Sequence, residues 1–279
     1  MKICLIGLGE IGLPTAKYIS KKGHRLQGYD ISDGAVKRAK ASGVDATTDW
    51  AKIISADAYV VCVSTLLKGE RPDLSPIFDV CKKISEKSTA GSLVSIESTI
   101  LPGTCKKLHK NIFKSQLSLI HVPHRYWGKS PGKHGVRQMR VFGAIDEKSM
   151  RNGLALYRDS LKIPLHIVPK IEVAEMSKIA ENAYRYTQIA FAEELKMVCE
   201  EIGLDFDAVR EACNTKWNID IPKAMGGIGG HCLPKDIRYL MSLSKHNIFS
   251  KGALAVDEAY RKHLKKIGRK VDHPKFRKI

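Results

Sequence analysis

The stretch "KICLIGLGEIGLPTAKYISKKGHRLQGYD" (2–30) constrains this chain more than any other part of it. An apolar run from Ile3 to Ile6, rich in β-branched residues, reads as a buried parallel strand. It breaks at Gly7-x-Gly9-x-x-Gly12 and resumes with the helical apolar spacing Ile11, Ala16, Ile19. "HRLQGYD" then reads as a second strand ending at Asp30, 18 residues beyond Gly12. Each glycine has a physical task. Gly7 permits a tight turn, Gly9 lets a pyrophosphate approach the backbone, and Gly12 lets helix pack on strand. The phosphates then sit at the positive end of the helix dipole. A lone GxGxxG is a weak signal, but one that closes a strand, opens a helix and precedes an acid at a strand end indicates a dinucleotide site. Asp30 would accept the ribose hydroxyls and repel a 2′-phosphate, so the expected cofactor is NAD rather than NADP. The candidate cofactor-binding residues are Gly7, Gly9, Glu10, Ile11, Gly12, Asp30, Ser64, Thr65 and Thr99.

Strand and helix patterns keep alternating. "AYVVCVST" (58–65), "GSLVSIEST" (91–99), "LSLIHVP" (117–123) and "RQMRVFGA" (137–144) read as strands, with helical patterns at 73–87 and 146–161. This alternation predicts an α/β fold, a doubly wound parallel sheet of Rossmann type over residues 1–168. Cys4 and Cys62 fall inside strands and read as inert core thiols. The pattern then changes. Residues 172–202 form one uninterrupted helical stretch stopped at Gly203, followed by helices at 206–213 (capped by Asp205), 237–246 and 252–267, with a loop at 214–236. Residues 169–279 are expected to be an all-helical domain joined through the long helix. Such a helix reaches about 45 Å, more than a small domain covers, so the chain is expected to form a homodimer.

Hydrophobic content of 43% and charged content of 27% suit a globular protein. No run approaches 18 apolar residues and the N-terminus has no leader layout, so a cytoplasmic protein without a membrane segment is expected. The seven cysteines contain no CxxC pair, which argues against a disulfide framework or a metal site. The net charge of +18 is concentrated. Residues 104–140 hold nine Lys/Arg and four His with no acid, and 245–279 hold eleven Lys/Arg against three acids. Clusters of this kind imply an anionic partner, whether a nucleic acid, a membrane surface or a phosphorylated small molecule, and the last is expected here.

"GGHCLPKD" (229–236) presents Cys232 between glycines and a proline, on what reads as a turn where its sulfur can be reached. Lys178 and Asn182 lie four apart in the long helix and share a face. Taken in order, "GLGEIGLPTA" (7–16), "PDLS" (72–75), "ESTILPGT" (97–104), "AEMSKIAENAYR" (174–185) and "GGIGGHCLPKD" (226–236) resemble the UDP-glucose/GDP-mannose dehydrogenase family across nearly the whole chain. These NAD-dependent enzymes oxidise a sugar nucleotide's C6 alcohol to a carboxylate. The resemblance implies that Cys232 captures the aldehyde intermediate as a thiohemiacetal. It implies that Lys178 and Asn182 stabilise the oxyanion, and that Asp236, Thr99 or Lys178 positions water or relays a proton.

The chain departs from the family in three places. Where members carry a glutamate after the fifth strand this sequence has His124, which can act as a base near neutral pH. "FAEEL" (191–195) has Ala192 and Glu193 in place of an Asn-Glu pair. The family continues into another Rossmann-like domain, whereas this sequence stops at "GRKVDHPKFRKI". The expectation is that a partner chain completes the active site, or that a smaller anionic sugar is held by the basic 104–140 segment. Two other functions are weighed beside this one: a two-electron hydroxyacid-type dehydrogenase on the same scaffold, and a non-catalytic nucleotide- or nucleic-acid-binding relative.

Overall fold

In a computed structural model, the structure describes residues 1–128 and 130–275. Lys129 of the basic segment and Arg277 and Lys278 of the basic tail lie outside the described residues. The chain divides into two compact units. The first comprises Met1–Thr65 and Asp73–Lys178, and so runs past residue 168; the second comprises Leu66–Pro72 and the residues from Ile179 onward.

In chain order the first unit forms β1 (Lys2–Ile6), α1 (Gly12–Lys21), β2 (Arg25–Tyr29), α2 (Asp33–Ala41), β3 (Ala46–Thr47) and β4 (Ala58–Val61). The chain then crosses the hairpin β5 (Leu66–Lys68) and β6 (Arg71–Asp73). It continues through α3 (Ser75–Lys87), β7 (Leu93–Ile96), α4 (Thr104–Lys107), β8 (Ser118–His121), β9 (Arg140–Ala144), α5 (Glu147–Leu154) and β10 (Leu165–Ile167). The sheet order is β10-β9-β8-β7-β4-β1-β2-β3. β1 pairs parallel to both β2 (Ile3↔Leu26) and β4 (Ile3↔Ala58), so strand order reverses between β1 and β4. β9 runs antiparallel to β8 (Ile120↔Ala144), which makes the sheet mixed towards one edge.

Side chains alternate across β1 and are buried on both faces. Ile3 and Leu5 pack with Ala16, Ile19 and Leu156, while Cys4 and Ile6 pack with Ile77, Ile84 and Leu108. This double burial is why the sequence shows apolar runs rather than apolar–polar alternation. Each fully buried Ile or Leu stabilises the unit by about 1.5–3 kcal/mol relative to exposure.

α6 (Ile171–Glu201) carries the chain from the first unit into the second. It stops where Gly203 adopts φ +74°, a left-handed residue past the helix end that lets Leu204 N–H reach the Cys199 carbonyl. α7 (Phe206–Cys213), capped by Asp205, then α8 (Cys232–Ser242) and α9 (Ile248–Lys266) complete the second unit. Its core gathers Ala183, Tyr186, Ala190, Ile228, Ile237 and Ala253. The hairpin joins this unit through Tyr239 Oη, which donates to the Leu66 carbonyl at 2.8 Å, and through the Arg238–Glu70 ion pair.

The sequence reading starts a helix at 237, whereas α8 starts at Cys232. Pro234 reads as a loop residue, yet proline is tolerated in a first helical turn, where its missing N–H has no helical partner to lose. The cysteine is therefore the first residue of a helix rather than part of a turn.

Candidate active site

The glycine turn meets its steric requirements. Gly7 has φ +93°, and a Cβ there would lie 2.6 Å from the Cys62 carbonyl oxygen at the end of β4. A Cβ on Gly12 would sit 1.7 Å from the Gly7 oxygen, so α1 can approach β1 this closely only with glycine. Gly9 faces open space, with nothing within 4 Å of an added Cβ. α1 starts without a side-chain cap and without an acid in its first turn, which leaves its positive end free for an anion. Asp30 follows β2. Its Oδ2 accepts from Leu8 N–H at 2.7 Å and its Oδ1 from Ser32 N–H at 2.8 Å, so both neighbouring loops orient the carboxylate. Glu10 is exposed, Ile11, Ser64 and Thr99 are half-buried, and Thr65 is buried just past β4. These residues lie at the strand-order reversal, where open α/β sheets bind dinucleotides. The residues present fit NAD.

Just past β7, Glu97 anchors a buried polar cluster in the first unit that the sequence reading missed. Its Oε1 accepts from Arg140 Nη1 at 3.0 Å and from Tyr157 Oη. Its Oε2 accepts from the His124 ring and from Cys62 Sγ at 3.4 Å. Tyr157 Oη also meets Ser95 Oγ at 2.7 Å. Burial raises the Glu97 carboxyl, but His124 and Arg140 outweigh it and hold the group well below the ordinary carboxylate value. Burial, then Arg140, pulls His124 below its ordinary value, with the Glu97 carboxylate opposing them.

Thr15 Oγ1 donates to the Ile11 carbonyl and lies 3.1 Å from His124 Nε2. The ring therefore carries its proton on Nε2, shared between Glu97 and Thr15, and buried Nδ1 has no partner among the described residues. His124 is 3% exposed. The residue expected as a base thus has its ring turned into the unit, with Nε2 engaged by Glu97 and Thr15. Cys62, Glu97 and His124 are ligand-type residues whose donor atoms lie within 4.8 Å of one another. Cys62 and His124 each meet the Glu97 carboxylate, beside the buried Arg140 guanidinium. Burial and then Glu97 push the Cys62 thiol well up. Burial likewise pushes Cys4 up to about 12.

The other predicted catalytic residues divide between the units. Thr99 and Lys178, both half-buried, belong to the first. Asn182, Cys232 and Asp236 belong to the second. Asp236 is fully buried, and its carboxylate accepts from Asn182 Nδ2 and from Lys235 Nζ. Lys235, also missed in the sequence although it stands inside "CLPKD", is buried with its ammonium 4.0 Å from the Tyr239 ring centroid. Cys232 is exposed one turn before Asp236.

The glycine loop leading to Cys232 is fastened on two sides. Tyr260 Oη donates to the Met225 carbonyl, Arg261 Nη2 donates to the Ile228 carbonyl at 2.7 Å, and Asp257 accepts from Ile228 N–H. On the other side, Asp272 N–H donates to the Gly226 carbonyl and Lys275 N–H to the Gly230 carbonyl. A Cβ on Gly226 would meet Asp272 Oδ2 at 2.9 Å. Part of the basic tail thus serves as backbone support for the cysteine loop, which its charge pattern gave no means of foreseeing.

A Rossmann unit with an open glycine turn and an oriented acid after β2 defines a NAD-binding protein. The signature of the UDP-glucose/GDP-mannose dehydrogenase family, NAD binding domain, matches residues 33–161, and that of the central domain matches 172–259. The chain belongs to the UDP-glucose/GDP-mannose dehydrogenase family. It is 30% identical to the UDP-N-acetyl-D-mannosamine dehydrogenase of Pyrococcus horikoshii over 88% of this chain and 65% of that protein. It is 29% identical to the UDP-N-acetyl-D-glucosamine 6-dehydrogenase of Pseudomonas aeruginosa over 86% of this chain and 62% of that protein. The chain therefore spans just under two thirds of the length of these curated relatives. The solved UDP-D-ManNAc dehydrogenase of Pyrococcus horikoshii superimposes with a TM-score of 0.85 at 28% identity, covering 96% of this chain and 73% of that one. No helix among the described residues is long and apolar enough to cross a membrane.

Proposed function

We propose that this chain is an NAD-dependent dehydrogenase that oxidises the primary alcohol of a nucleotide sugar, or of a smaller anionic sugar, to the carboxylate through Cys232. The observation that carries this reading is the second unit's arrangement. An exposed thiol opens a helix whose next turn buries Asp236 against Asn182 and Lys235. NAD, held by the glycine turn at Gly7, Gly9 and Gly12 and by Asp30, would supply a hydride acceptor for each of the two oxidation steps, one molecule per step. The chain's residues handle protons and the acyl group. Lys178 or Asp236 takes the alcohol proton, the Cys232 thiolate adds to the aldehyde carbon, and Lys178 and Asn182 stabilise the resulting oxyanion. Loss of the second hydride leaves a thioester, which water cleaves to release the acid and the thiol. Lys178, Asp236 and Thr99 orient that water. His124, with Glu97, positions the segment after β8.

The substrates carried in the relatives' names, UDP-N-acetylmannosamine and UDP-N-acetylglucosamine, are the first to test. The intact protein with NAD should form two NADH for each acid released, and Cys232→Ser should abolish acid formation. One NADH per sugar, with the Cys232 variant unimpaired, would favour the hydroxyacid-type alternative. No NADH with any sugar nucleotide or phosphosugar would reject the enzyme reading.

The protein is further proposed to be a homodimer through α6. Tyr184, Phe191 and Val198 recur every seven residues on it and are 66%, 55% and 45% exposed, an apolar stripe of the kind a second helix covers. Phe191→Asp with Tyr184→Asp should halve the mass seen by light scattering. A monomeric wild type at micromolar concentration would remove this claim. Completion of the site by another chain is proposed on the same footing, and mass analysis of the protein purified from its source tests it.

A further inference from the structure

The basic segment 104–140 does not form one cationic face. Lys106 pairs with Glu172, and Arg140 is buried on Glu97. Lys133 and Arg137 instead line, at their exposed side chains, a cavity of about 590 Å³ in the first unit, together with two exposed cations from α1, Lys17 and Lys21. None of the four makes an ion pair among the described residues, and no carboxylate lines the cavity. Lys17 and Lys21 stand four apart on one helix face, a spacing at which like charges repel. Such a cluster is stabilised by an anion.

The walls are built rather than incidental. Tyr18 Oη donates to the Leu161 carbonyl at 2.5 Å, which fixes its ring. The loop that carries Lys133 and Arg137 is closed on itself. Trp127 N–H reaches the His134 carbonyl at 2.9 Å, His134 N–H the Ser130 carbonyl at 2.7 Å, and Gln138 Nε2 the Arg125 carbonyl at 2.8 Å. Tyr126, Leu13 and Val136 add apolar and aromatic lining. The volume lies within the range of about 300–1,000 Å³ usual for small-molecule pockets and exceeds what a single phosphate needs. The cavity is also distinct from the dinucleotide crevice. The face of α1 that buries Thr15, Ala16 and Ile19 packs on the sheet, whereas Lys17, Tyr18 and Lys21 line the cavity, and Asp30 is not part of it.

We infer that this cavity is a nucleoside diphosphate site. Its four cations hold the two phosphates, and its tyrosines and aliphatic side chains take the base and sugar. The site lies within the first unit and goes beyond the dehydrogenase reading, since its occupation is measured by binding rather than turnover.

The test uses the intact protein saturated with NAD and titrated calorimetrically with UDP, with inorganic pyrophosphate as the control for the phosphates alone. UDP should bind one-to-one beside NAD, more tightly than pyrophosphate and more weakly as salt rises. Lys17→Glu with Arg137→Glu should weaken UDP about tenfold or more, as expected for losing charged hydrogen bonds. NAD affinity should stay within about twofold, showing that the variant is folded. Bound UDP should also protect the Lys17 and Lys133 amines of the unmodified protein from acetylation, read by peptide mass. Displacement of UDP by NAD would overturn the inference, because UDP would then occupy the cofactor crevice. Equal labelling of the two amines with and without UDP would overturn it too, since UDP would then be held elsewhere, for example at the dehydrogenase's own substrate site. Pyrophosphate binding as tightly as UDP would reject the nucleoside half of the assignment.

Discussion

Glu193 sits on α6 with no exposed surface and with neither carboxylate oxygen partnered among the described residues. Burial, and then the nearby Asp257 charge, raises its pKa from the ordinary 4.5 to about 8, with Arg261 opposing. The consequence for folding has a definite sign. Below 4.5 the carboxyl is neutral in both the folded and unfolded chain, so its ionisation contributes nothing to the difference. Above 4.5 the unfolded chain ionises while the folded one holds its proton, so stability falls as pH rises until the folded group itself titrates near 8. At about 1.4 kcal/mol per pH unit, the penalty at pH 7 is on the order of 3 kcal/mol. Glu193→Gln keeps the shape and cannot ionise. The variant should therefore gain stability over the wild type as pH rises from 5 to 8, with a difference near zero at the acid end. Glu193→Met, which also removes the unpartnered polar atoms, should be more stable still. Urea unfolding of all three proteins at several pH values, followed by circular dichroism, reads the difference directly, and the titration of histidines elsewhere cancels between variants. A stability difference independent of pH would refute the reasoning, because it would mean that Glu193 ionises in the folded chain as easily as in the unfolded one.

Removing the Glu97 charge by Glu97→Gln strands the buried Arg140 and should cost about 3–5 kcal/mol in urea unfolding. Because the folded carboxyl titrates below its ordinary value, the wild type should lose this contribution only in acid, a loss the variant cannot show. Gly9→Ala and Gly12→Ala should separate function from fold. The first should leave the melting temperature nearly unchanged while weakening NAD binding. The second, with its Cβ 1.7 Å from the Gly7 oxygen, should lose both. In brief iodoacetamide treatment read by peptide mass, Cys232 should label first and Cys213 second, these being the two exposed thiols. Labelling of buried Cys105 ahead of them would mean that α8 does not present its first residue as described.

Repeating local physics was legible in the sequence. The glycine spacing from Gly7 to Gly12, the doubly buried strands and the stop at Gly203 each follow from sterics or burial acting over a few residues, so the Rossmann unit and the long helix could be read directly. Cys232 and Asp236 were singled out through family resemblance, although the helix that carries them was expected to begin only at 237. Contacts across long sequence separations were not legible. Nothing near Glu97 announces that Arg140, Tyr157 and His124 converge on it from 27 to 60 residues away. For that reason the burial of His124 against Glu97 and Thr15 could not be foreseen. The charge pattern misled for the same reason. A run of cations is one feature in the sequence, but folding paired Lys106 and Arg140 with acids, brought Lys133 and Arg137 to the same cavity as Lys17 and Lys21, and laid residues 272–275 along the glycine loop. Charge count belongs to composition, whereas which charges face one another, and which are shut away from water, is decided only when the strands and loops that carry them pack.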